Sequence, residues 1–73
     1  STDVGMIVKM HSIMYGYRKL KAQIRVEKGM PGLYVDEMGY MSPLECIKQG
    51  VDFEQISEGE RQMLKRAGYR FRD

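Results

Sequence analysis

The chain reads as an α+β domain, a small N-terminal antiparallel sheet followed by two short capped helices. Three features predict this. Residues 19–27 alternate polar and apolar side chains without a fault. Pro31-Gly32 then supplies a turn signal before a second apolar run. Capping boxes at Ser42 and Ser57 open amphipathic stretches in the second half.

In the alternating stretch, Leu20, Ala22, Ile24 and Val26 face one way, and Lys19, Lys21, Gln23, Arg25 and Glu27 the other. Period 2 marks a half-buried strand over residues 19–27. Ile7 and Val8 are β-branched and favour an earlier strand over 4–14. Pro31 and Gly32 suit the central positions of a type II turn, returning the chain as a third strand over 33–38. A rival reading makes the protein mostly α, with one long helix over 3–27. Met6, Met10, Ile13, Tyr17, Leu20 and Ile24 follow a heptad seam that would support it. Gly5 and Gly16 inside such a helix oppose it, at about 1 kcal/mol each.

Ser42-Pro43-Leu44-Glu45 places Pro at the first helical position, and Gly50 ends the helix, giving a span of 43–49. Met41 and Cys46 stand where a hydrophobic staple closes, and Leu44 and Ile47 are expected on the buried side. Ser57-Glu58-Gly59-Glu60 starts the second helix, over 58–67, with Glu58 and Glu60 at its positive end and Lys65 and Arg66 at its negative end. It should bury Met63, Leu64 and Ala67. Val51, Phe53 and Ile56 are core candidates in the connector between the helices, and Asp52 is a candidate cap for a single turn there. Residues 69–73 are either an added edge strand or a mobile tail.

Length limits this to one small domain over residues 1–73, whose core supplies only roughly 3–5 kcal/mol. Cys46 is the sole cysteine, so no internal disulfide forms, and with His11 the sole histidine no metal or cofactor is expected. The lone thiol, and a chain start unlike a signal peptide, suggest the cytoplasm. No apolar run reaches membrane-span length, so no membrane partner is expected. Cys46 and His11 are the only thiol–imidazole pair, and the paired carboxylates flank helix starts or alternate across a strand. Neither arrangement supplies a nucleophile with its base or an acid–base dyad, so the protein is expected not to be an enzyme.

Charge is the informative feature. Residues 1–31 carry Lys9, Arg18, Lys19, Lys21, Arg25 and Lys28 against Asp3 and Glu27, a net +4. Residues 32–60 carry Lys48 against seven carboxylates, a net −6, and residues 61–73 return to +4. Local fields of this kind select partners more than net charge does. Lys19, Lys21, Arg25, Arg61, Gln62, Lys65, Arg66, Arg70 and Arg72 are therefore candidates for contacting nucleic acid, DNA or RNA. Tyr15 and Tyr17 are candidates for stacking on bases, with Tyr69 and Phe71 beside the last cations. These features suggest a small regulatory protein whose basic ends meet in one electropositive surface. The two capped helices invite comparison with a helix-turn-helix, although their gap is long for that motif.

The alternative is an adaptor or inhibitor docking on a larger protein, such as a nucleic-acid enzyme. It would use Asp36, Glu37, Glu45, Asp52 and Glu54, together with a surface drawn from the seven methionines. A homodimer through the heptad seam is a third expectation.

Overall fold

The computed structural model describes residues 5–72 and is α+β. Strands β1 (Met6–Ser12), β2 (Gly16–Glu27), β3 (Met30–Val35), β4 (Gly39–Met41) and β5 (Val51–Gln55) form one antiparallel sheet in the order β4-β3-β2-β1-β5. Helix α1 (Pro43–Lys48) lies between β4 and β5 in sequence, and α2 (Glu58–Arg66) follows β5. The long N-terminal helix does not form. Its seam residues divide between β1, the first turn and β2, which removes the basis for a coiled-coil homodimer.

The turns decide where the strands stop. Ser12 Oγ accepts hydrogen bonds from the Met14 and Tyr15 amides at 3.0 Å each. This turns the chain at residue 12 rather than 14, and a three-residue loop closes onto the Ser12–Gly16 pair. Gly16, at φ +76°, takes the left-handed position such loops require, so β2 begins three residues earlier than the alternation indicates. The next hairpin turns at Lys28-Gly29, both at positive φ, and not at Pro31-Gly32. That two-residue turn matches strand twist. Pro31 is instead a β3 residue opposite Val26. Strand β4 pairs β3 only from Leu33 to Val35, so the missing Pro31 amide falls on an uncovered edge. Strand β3 accordingly runs 30–35 rather than 33–38.

Alternation divides the sheet into two faces. Met6, Val8, Met10, Leu20, Leu33, Val35, Met41 and Val51 face the core. Cys46 from α1, Leu64 from α2 and Tyr69 close over them, with Phe53, Ile56, Ala67 and Phe71 packed at the margin. The residues assigned to a connector between the helices form β5, so Asp52 caps no turn and no helix-turn-helix exists. Strand β5 pairs β1 with a bulge near Ile7 and Val8. The Gly50 backbone before it lies so close to β1 that a Cβ would sit 2.4 Å from the His11 carbonyl oxygen.

Both N-caps form. Ser42 Oγ accepts from the Glu45 amide at 3.1 Å. Ser57 and Glu60 complete a reciprocal capping box. The staple positions Met41 and Cys46 are both buried, and this turns α1 against expectation: Leu44 and Ile47 are exposed. At about 100° per residue, a helix that points Cys46 inward turns Leu44 about 200° and Ile47 about 100° away from that direction.

Residues 69–72 form neither an edge strand nor a loose tail. Phe71 stacks on Phe53 at 4.4 Å, and Tyr69 is buried. The Tyr69 hydroxyl accepts from the Leu33 amide at 3.1 Å and donates to the Met41 carbonyl at 2.6 Å, bridging β3 and β4. Burial pushes its phenol up to about 12.

Candidate functional site

Helices cover one face of the sheet, and the other carries a mixed polar and aromatic surface. From β1 it presents Ile7, Lys9 and His11, and from β2 Tyr17, Lys19, Lys21, Gln23, Arg25 and Glu27. Tyr34 of β3 and Tyr40 of β4 complete it as a cross-strand pair. Cations on β2 therefore recur at multiples of about 6.8 Å along the strand.

This face is graded across its width. At the β5 edge carboxylates balance the cations. Glu54 lies 3.1 Å from Lys19 and 3.9 Å from Lys9, and the Glu54 hydrogen bond and charge raise the Lys19 pKa. Asp52 pairs with Arg72 at 3.3 Å. In the middle, Lys21 and Arg25 have no carboxylate partner among the described residues. At the far edge the surface is aromatic. The Arg25 guanidinium lies 4.5 Å over the Tyr34 ring, and Tyr34 and Tyr40 stand 5.6 Å apart. His11 and Tyr17 form a second pair at 4.6 Å near the first hairpin. Tyr17 and Tyr40 remain more than half exposed.

Beside Tyr40 the sheet is hollowed. Arg25, Glu27, Met30, Gly32, Tyr34 and Tyr40 line a cleft of about 210 Å³ together with Pro31. Gly32 makes it possible, because a Cβ there would lie 2.9 Å from Tyr40 Cε1.

The basic ends of the chain meet only at the β5 edge, where Arg70 and Arg72 line a hollow with Lys9, and the cations of α2 lie apart from the open face. Lys19, Lys21, Arg25 and Tyr17 belong to the open face. Arg61, Gln62, Lys65 and Arg66 ride on α2, which packs by Leu64 on the opposite side of the sheet. Arg61 lies near Glu58 at 3.8 Å and 5.4 Å over the Phe71 ring, and Gln62 donates to Glu58 at 2.7 Å. Arg70 is exposed on the C-terminal segment, and Tyr15 lies in the first hairpin turn. Tyr69 and Phe71 are used in packing.

The acidic candidates are scattered. Asp36 and Glu37 occupy the β3–β4 turn, where Glu37 pairs with Arg18. Glu45 accepts from Gln49 on α1, and Asp52 and Glu54 hold the cations already named. The methionines divide too: Met6, Met10 and Met41 are buried, whereas Met14 and Met30 are exposed. Cys46 is a core residue whose thiol burial pushes up to about 12, and His11 lies on the other face of the sheet.

Tyr34, Tyr40 and Glu27 were not among the residues selected from sequence. Extending the period-2 reading through Leu33-Tyr34-Val35 would have placed Tyr34 on the polar face. Tyr40 carries no such signal, because a strand of three residues has no measurable period.

Comparison with protein-family models, with curated proteins and with solved structures finds no match.

Proposed function

We propose that this is a small non-enzymatic protein that binds single-stranded nucleic acid on the open face of its sheet. The observation that carries the reading is the line of cations on β2 set beside exposed tyrosines, with no helix above them. Lys21 and Arg25, which no carboxylate among the described residues engages, offer charge to phosphate. Tyr17 and Tyr40 offer exposed rings on which bases stack, at about 1–3 kcal/mol per base. A flat, one-layer surface of this kind fits an unpaired strand, whose bases are free to splay onto it.

The test is fluorescence anisotropy of an oligothymidylate of about ten nucleotides, within the range of single-strand site sizes. Affinity should fall as salt rises, with a log–log slope of about −0.7 per phosphate neutralised. Lys21→Glu with Arg25→Glu should weaken binding about tenfold or more. Absence of binding at about 50 mM salt would remove the proposal.

One observation favours a second reading, docking on a larger protein. Ile13 and Met14 at the first hairpin and Ile47 on α1 are exposed apolar side chains lining a common hollow, with Leu44 also exposed on α1. This apolar rim, rather than the dispersed carboxylates, would be the docking surface. Capture of a protein partner lost on Ile13→Asp but retained on Lys21→Glu would favour it.

A further inference from the structure

We propose that the cleft between Tyr34, Tyr40 and β2 is a base-selective subsite that takes guanine. The inference rests on the nucleic-acid reading above and adds to it a preference among bases. Two charged groups of opposite sign lie side by side in this cleft. Arg25 and Glu27 stand two residues apart on one face of β2, about 6.8 Å along the strand. Among the described residues no ion pair engages either side chain, and Arg25 is held over the Tyr34 ring at 4.5 Å.

That pair of groups matches the two adjacent edges of guanine. The O6 and N7 atoms accept hydrogen bonds, and a guanidinium donates to them in bidentate fashion. The N1–H and the 2-amino group are donors, which the Glu27 carboxylate can accept. Adenine presents an amino group in place of O6 and a lone pair at N1, so it opposes both groups. Uracil, thymine and cytosine lack the N7 acceptor that completes the bidentate contact. The exposed Tyr40 ring supplies a stacking surface beside these polar groups. Gly32 lets the Tyr40 ring settle against β3 beside these groups, because a Cβ there would lie 2.9 Å from its Cε1. The cleft is thus one in which a ring, a donor fork and an acceptor converge, and a cation alone would not select a base.

The test uses the intact chain and four oligothymidylates of about ten nucleotides, unmodified or with one central guanine, inosine or adenine. Guanine should bind about tenfold more tightly than adenine. Inosine, which lacks only the 2-amino group, should fall between them. Glu27→Ala, which removes the acceptor, should erase the difference between guanine and inosine. Gly32→Ala should reduce the preference by tilting Tyr40, with folding checked by circular dichroism. Binding of all four strands with equal affinity would overturn the guanine subsite and leave the wider interface standing. A guanine–inosine difference that survives Glu27→Ala would equally overturn the role of Glu27. Binding of none would overturn both readings.

Discussion

The two faces of the sheet use the same residue types for opposite ends. Tyr69, on the covered face, is 4% exposed and spends its hydroxyl on the Leu33 amide and the Met41 carbonyl. Tyr40, on the open face, is 55% exposed and rests its ring over Gly32. Methionine divides likewise, Met6 and Met10 buried and Met30 exposed. The covered face is one continuous apolar cluster, and no buried side-chain polar atom among the described residues lacks a partner. The open face leaves cations and rings facing water. The first face therefore carries the stability of a small domain, and the second is available for binding.

Substitutions separate these roles. The largest effect is expected in the cluster. Leu64→Ala should cost about 2–5 kcal/mol, because α2 has no other fully buried side chain with which to fill the space. Chemical denaturation would measure it, and oligonucleotide affinity of the remaining folded fraction should not change. Tyr69→Phe comes next, at about 1–3 kcal/mol, since it strands a buried amide and a buried carbonyl. Tyr69 and Cys46 also set an alkaline limit. Their folded pKa values of about 12 lie above the ordinary 10.0 and 9.0. Stability from the neutral groups is fully present below pH 9.0 and is lost as pH rises from there towards about 12. A denaturation midpoint that stays level between those limits would contradict the burial of both.

On the open face the order of effects reverses. Lys21→Glu with Arg25→Glu should lower affinity for single strands by tenfold or more, about 1.4 kcal/mol, and leave the melting temperature within a few degrees. Ser57→Ala should cost about 1 kcal/mol by removing the α2 capping box, seen in thermal melts and not in binding. The smallest effect is expected from Lys65→Glu with Arg66→Glu, because α2 lies on the far side of the sheet. A loss of affinity as large as that of the β2 pair would show that nucleic acid wraps both faces, and would blur the distinction drawn between them.

Much of the fold is legible in the sequence, and the reason is locality. The alternation from Lys19 to Glu27, the caps at Ser42 and Ser57 and the stop at Gly50 are relations among residues a few positions apart. The core strands and both helices follow from them. The elements that escape are short or depend on a distant partner. Strand β4 has three residues and exists because β3 pairs with it. Strand β5 carries Val51, Asp52 and Phe53 in an alternation too brief to distinguish from a connector, and it becomes a strand by pairing with β1. Within the candidate site, Lys19, Lys21 and Arg25 are legible as one polar stripe, and Tyr17 joins it because β2 begins at Gly16. Their companions Tyr34 and Tyr40 are not, because they join it across strands.

The alternation, the caps and the segregation of charge into three blocks are written into the order of residues. Which stripes share a surface is a matter of how the strands and helices pack. Packing put Arg61, Lys65 and Arg66 on α2, behind the sheet from the basic stripe of β2, and brought Arg72 round to Asp52 at the β5 edge. It turned Leu44 and Ile47 outward once Cys46 was drawn in, and sank Tyr69 between two strands. Periodicity and capping are short-range properties of contiguous residues. The neighbours of a surface are set by strand order and by which face the helices cover, and those depend on contacts between residues far apart in the chain.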